Sequence, residues 1–207
     1  MKKLFLENID PVVLKEARER YANAYRAIRN WRRIALEEQN NRVIGEKRIS
    51  HRCRLKKSYL TSTRRPFFVG LDRNDPIYIR TYRMIVYDMM RYSPALKAVV
   101  MKASGYNLGR MLVEKSIIRS MDDLPHVFIA QRIGLLDLEN ESTNKMRINI
   151  YECMSCSGME AVGIPMCDFE AGVIEGVLEQ LIGKNTTREK YCWGLGYSFC
   201  GFETYFE

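Results

Sequence analysis

Apolar and polar residues in this chain follow two periods. After Asp10-Pro11, an N-cap residue followed by a proline in the first turn, Ala17, Tyr21, Ala24, Ile28, Trp31 and Ala35 recur at alternating steps of four and three. Arginines at 18, 20, 26, 29, 32 and 33 fill much of the remaining surface. That 3.5-residue seam predicts one long helix over residues 11–44, closed by Gly45. Such a helix is marginal alone in water, so its seam must pack on its own domain or on a second copy, and we read it as facing a partner subunit. Residues 46–65 are polar, basic and aperiodic, the pattern of a linker or mobile arm.

Beyond the arm, residues 67–71 read as a short strand, and Asn74-Asp75-Pro76 as a turn leading into a helix. Apolar positions 78, 82, 85, 86 and 89 make a helical stripe over residues 78–92, and Ser93-Pro94 opens a further helix that runs through Leu108, Leu112 and on to Ile118. Five methionines on these helices (84, 89, 90, 101 and 111) suit either a plain core or an adaptable apolar pocket. Residues 127–138 and 146–153 read as strands joined by a hairpin at 139–144. Residues 168–183 form a marked helix whose Phe169, Val173, Val177 and Leu181 share a face, while Gly172 and Gly176 would admit another backbone closely. Residues 185–191 and 197–205 read as paired strands around Gly194-Leu195-Gly196. The sum is a mixed α+β fold, an antiparallel sheet covered by helices, preceded by a long N-terminal helix. Two units are expected: a basic helix and arm over 1–65, serving dimerisation or output, and a folded domain over 66–207.

Charge sharpens that division. Residues 1–65 hold 18 Lys and Arg against 7 acids, a balance of +11 within a net +8, so the remainder is mildly acidic. A solvated helix face explains this, and nucleic acid is an alternative partner, although no DNA-binding motif accompanies the charge. No apolar run is long enough to cross a bilayer, and the start MKKLFLENIDP fails as a signal peptide, so the expected location is cytoplasmic.

In that compartment cysteines stay reduced. Five of the six, Cys153, Cys156, Cys167, Cys192 and Cys200, crowd into the last 55 residues, and Cys53 lies alone in the basic arm. Such crowding points to metal or redox chemistry. Cys167 heads a helix, where free amides favour a thiolate, and a glycine turn lets a hairpin bring Cys192 and Cys200 together. Cys153 and Cys156 have the C-x-x-C spacing of two metal ligands or of a redox pair. The two histidines, His51 and His126, have no spaced partner. No phosphate-cradling glycine loop, spaced acid pair or nucleophile with a base is present.

The run Glu152-Cys-Met-Ser-Cys156, Gly163-Ile-Pro-Met-Cys167, the helix Phe169-Glu-Ala-Gly-Val-Ile-Glu-Gly176, Glu189-Lys-Tyr-Cys192-Trp-Gly-Leu-Gly196 and Cys200-Gly-Phe202 resembles the 4-vinyl reductase domain family over residues 66–206. The resemblance implies a ligand-binding fold of the NO-signalling and Golgi-transport type, related to vesicle-tethering TRAPP subunits, usually dimeric, with a pocket for small hydrophobic or aromatic molecules. Carried over by position, the zinc site of the family's sensor branch falls on Cys167, Glu189, Cys192 and Cys200. A regular strand would point residues 189 and 192 to opposite faces, so a bulge or strand end must separate them. Cys153 and Cys156 depart from the sensor pattern and offer an alternative metal set or a redox pair. Four protein ligands close the shell, which makes the expected zinc structural. The function implied is a small-molecule sensor or carrier. The alternatives are a reductase or accessory protein acting on a tetrapyrrole vinyl group or similar unsaturated substrate, and a ligand-responsive DNA-binding regulator.

Overall fold

A computed structural model describes residues 11–43, 53–142 and 144–207. Its elements run α1 (Pro11–Val43), a 3-10 turn (Lys57–Leu60), α2 (Pro66–Leu71), α3 (Asp75–Tyr92), α4 (Pro94–Glu114), α5 (Leu124–Ala130), β1 (Leu135–Ser142), β2 (Lys145–Tyr151), α6 (Asp168–Leu181), β3 (Asn185–Tyr191) and β4 (Cys200–Phe206). The N-cap Asp10, the stop Gly45 and His51 lie outside the described residues.

The four strands form one antiparallel sheet in the order β1-β2-β4-β3. Alternation along each strand splits the apolar side chains between two faces. Leu136, Ile148, Ile150 and Phe202 belong to the main core with α3, α4 and α6, whereas Leu135, Tyr151 and Phe199 belong to a second core on the other face. That second face is covered by α1. Ala24, Trp31 and Ala35 are buried against it, and the Trp31 indole lies nearly parallel to the Tyr151 ring, centroids 6.3 Å apart. From Ala24 onward the helical seam therefore packs on the chain's own sheet and not on the partner subunit that the seam suggests. The reason is physical: a sheet apolar on both faces needs a cover on each. The side chains of Ala17 and Tyr21 lie outside the described residues.

On the main-core side, α4 and α6 touch backbone to backbone. A Cβ at Gly172 would collide with the Lys102 carbonyl and one at Gly176 with that of Tyr106, while Gly105 and Gly109 on α4 face the carbonyls of Phe169 and Val173. The expected close approach at Gly172 and Gly176 is reciprocal, glycine pair against glycine pair.

Three readings change. Residues 67–71, expected as a strand, lie in α2, because Pro66 starts the helix and the distant Glu152 carboxylate accepts from the N–H groups of Phe67 (3.0 Å) and Phe68 (3.4 Å). Residues 127–138, read as one strand, divide into α5 and β1. A capping box of Ser120 and Asp123 with Pro125 in the first turn drives the helix, and the chain reverses at Arg132, where φ is +56°. Residues 53–65, read as linker or arm, are stitched into the core: the Cys53 N–H donates to the Val162 carbonyl at 2.9 Å, the buried Tyr59 hydroxyl donates to the Ser155 carbonyl at 2.7 Å, and the buried Arg65 pairs with Asp75 at 2.9 Å. Among the described residues, no helix is long and apolar enough to cross a membrane.

Candidate metal centre

Four chain segments deliver thiols to one buried point. The turn after β2 brings Cys153 and Cys156, the N-cap position of α6 brings Cys167, the end of β3 brings Cys192, and the start of β4 brings Cys200. All five thiols are free and buried, whereas Cys53 is exposed and stands apart. The Sγ of Cys156 lies 3.2 Å from that of Cys167 and 3.1 Å from that of Cys200. Cys167 Sγ lies 3.5 Å from Cys153, 3.4 Å from Cys200 and 3.9 Å from Cys192. Thiolates bound at about 2.3 Å to a tetrahedral zinc sit roughly 3.8 Å apart, so these separations match a single ion's shell. Ligands of an iron–sulfur cluster must stand apart across several iron atoms, and this packing is too tight for that.

Glu189 joins them. Its Oε2 accepts the Cys167 N–H at 2.9 Å, while its buried Oε1 has no hydrogen-bond partner. An orphaned carboxylate oxygen beside thiols is the donor a cation would complete. The sheet solves the problem of opposite faces with a register irregularity between Glu189 and Tyr191, after which the strand gives way to a 3-10 turn at Trp193. Two sets of donors result, each with its ligand atoms within 4.8 Å of one another: Cys153, Cys156, Cys167 and Cys200, and Cys167, Glu189, Cys192 and Cys200. Thiolate-rich sets of this kind select zinc and other thiophilic ions.

Burial pushes the thiols of Cys156, Cys167 and Cys200 and the carboxyl of Glu189 well above their usual ranges. A cation's charge is what would hold such groups deprotonated in an apolar interior.

The surrounding residues fix the loops that carry the sulfurs. Arg83 of α3, fully buried, donates to the carbonyls of Met154 and Ser157 on the C-x-x-C turn and to those of Tyr59 and Ser62 on the arm, at 2.6 to 3.0 Å. Lys97 of α4 donates to the Met166 carbonyl at 2.6 Å and to the Asp168 carboxylate at 2.5 Å, bracketing Cys167. Burial alone would discharge Lys97, but Asp168 more than offsets it, and the ammonium pKa is raised. Glu170 accepts from Cys153 Sγ at 3.1 Å and from the Ser155 hydroxyl at 2.9 Å, and burial, then the Cys153 charge, push its carboxyl well up. Sequence reasoning missed Arg83, Lys97 and Glu170. Only Glu170 left a signal, an acid one turn into α6 among residues otherwise buried and apolar. His126 is exposed on α5, away from the expected strand entrance.

Above the thiols, Ile164 of the loop before Cys167 forms part of a surface cleft of about 560 Å³ with Leu55, Met90, Tyr92, Pro94 and the arginines 54 and 91. A second cleft of about 720 Å³ lies along α4 and α6, lined by Val99, Ala103, Tyr106 and the charged Lys102, Asp168 and Glu175.

Residues 146–205 match the profile of the vinyl-4-reductase (V-4-R) domain. Two uncharacterized proteins of Methanocaldococcus jannaschii align with this chain: MJ1642, 36% identical over 99 residues (47% of this chain and 60% of the relative), and MJ0150, 29% identical over 101 residues (47% and 58%). The chain thus spans about 60% of the length of these relatives. Among solved structures, the phenol-responsive sensory domain of the transcription activator PoxR with phenol superposes with a TM-score of 0.51 at 13% identity, covering 60% of this chain and 72% of that one. A trafficking protein particle complex subunit 3 from Naegleria fowleri, covalently bound to palmitic acid, gives 0.49 at 19% identity, covering 65% and 95%. A vinyl-4-reductase family protein from Methanocaldococcus jannaschii gives 0.45 at 20% identity, covering 67% and 92%.

Proposed function

For a chain whose residues 146–205 form a vinyl-4-reductase domain, we propose the role of a metal-stabilised binding module that takes a small hydrophobic or aromatic ligand as sensor or carrier. Zinc is the ion, held by Cys167, Glu189, Cys192 and Cys200. The observation that carries the reading is the convergence of these donors from α6, β3 and β4 with the orphaned Oε1 of Glu189 among them. With four protein ligands the ion leaves no place for water, so its work is to tie segments together.

The ligand belongs in the 560 Å³ cleft, which is the size of small-molecule sites and combines the apolar Leu55, Met90, Pro94 and Ile164 with Tyr92 and two arginines. Ile164 stands three residues before Cys167, so a molecule in the cleft presses on a loop anchored at the metal. The phenol named with the PoxR sensory domain is a small aromatic of the class that such a lining would admit. The basic α1 serves as dimer contact or output surface, and the compartment is the cytoplasm.

The test is elemental analysis of the purified chain together with a thermal-shift panel of phenols and small aliphatic compounds, repeated on Met90→Trp, which fills the cleft. We expect bound zinc, and stabilisation by an apolar compound that Met90→Trp abolishes. Protein free of any ion, or a panel in which no compound shifts the melting temperature, overturns the reading.

A further inference from the structure

The six donors form two overlapping sets of four, and the overlap consists of Cys167 and Cys200. We propose that the centre holds two divalent ions bridged by these two thiolates, with Cys153 and Cys156 completing one ion and Glu189 and Cys192 completing the other. This deepens the reading above and rests on it for the second ion.

Three observations carry it. First, the shared sulfurs stand between the two ends. Cys167 Sγ contacts Cys153 and Cys156 on one side and Cys192 on the other, and Cys200 Sγ lies 3.4 Å from it, the shared edge of two tetrahedra. Second, a single ion in either position leaves buried donors unserved. An ion among the four cysteines leaves Glu189 Oε1 without a partner, and an ion on the glutamate side leaves Cys153 and Cys156 packed against the other sulfurs. Third, charge favours two. Five thiolates and one carboxylate bring six negative charges; one divalent ion would leave four, and two ions leave two. Buried Arg83, holding the Met154 and Ser157 carbonyls at the C-x-x-C turn, and buried Lys97 at Cys167 are placed to face that remaining charge.

Thiolates bridging two ions also couple them magnetically, which separates this arrangement from two independent sites. The experiment loads the full chain with cobalt(II) under reducing conditions and reads stoichiometry by metal analysis and electron paramagnetic resonance. The expected result is two ions per chain with the cobalt signal largely quenched. Cys153→Ser with Cys156→Ser, and separately Glu189→Gln with Cys192→Ser, should each retain one ion and regain a full, uncoupled signal. One ion in the native chain overturns the bridged pair and leaves the single-ion reading standing. No ion overturns both, and two ions with an unquenched signal overturn the shared thiolates. Should either variant fail to fold, the native chain's stoichiometry and coupling decide.

Discussion

Trp31 of α1 donates its indole N–H to the Glu152 carboxylate at 3.0 Å, and Glu152 immediately precedes Cys153. The same carboxylate caps α2 through the N–H groups of Phe67 and Phe68, and its own backbone carbonyl accepts from Arg65. One buried acid therefore joins the N-terminal helix, the arm and the turn that carries two of the five buried thiols.

Trp31→Phe keeps most of the apolar contact and removes the donor. Hydrogen bonds to charged groups contribute about 1.5–3 kcal/mol, so urea unfolding should show a loss of about that size. An unchanged midpoint would mean that Glu152 is fully served by the α2 amides.

Gly176→Ala sets two effects against each other. Alanine improves helix propensity by about 1 kcal/mol, but the new methyl would meet the Tyr106 carbonyl, and overpacking against a backbone that cannot yield costs roughly 1–3 kcal/mol or more. The clash wins, and thermal melting should show net destabilisation. A variant more stable than the native chain would show that α4 and α6 can separate freely.

Arg83→Met leaves four carbonyls without their donor, two on the arm and two on the C-x-x-C turn. Each unserved buried acceptor costs about 1–3 kcal/mol. Before global unfolding, the turn should loosen, so Cys153 and Cys156 should react with a thiol reagent faster than in the native chain. Equal labelling rates would remove Arg83 from its proposed role in holding the turn.

Glu203 on β4 gives the fold an acid limit. Burial pushes its carboxyl up, but hydrogen bonds from Lys190, Tyr205 and Lys145 outweigh burial and hold it at about 2. A carboxylate depressed on folding stabilises fully above its unfolded value, here the ordinary 4.5, and that contribution is lost as pH falls from there towards 2. Glu203→Gln should flatten the pH dependence of unfolding in that window by roughly 1 kcal/mol after allowance for solvent screening. An identical acid limb in both proteins would show that other carboxylates set it.

Local chemistry made much of this legible in the sequence. The period of residues 24–35, the Gly172 and Gly176 spacing, and the glycine turn between Cys192 and Cys200 each act within a few residues of themselves, and the resemblance added Glu189. What stayed hidden depends on partners far along the chain. Glu152 caps a helix 85 residues earlier, and Arg83 holds a turn more than 70 residues later. A short apolar run such as residues 67–71 fits strand and helix equally until that distant cap is known. The partner of the α1 seam was equally hidden, because Tyr151 and Phe199 look like ordinary strand residues until the sheet shows that both faces are apolar.

The cover that α1 lays over the sheet bears on how the chain can be cut. A fragment beginning at residue 66, where the family resemblance starts, would bare Leu135, Tyr151 and Phe199 to water as one greasy wall and would drop the Arg65 anchor. Such a fragment should clump, or recruit a sister molecule to shield the wall, and an assembly state measured on it would describe the excision and not the intact protein.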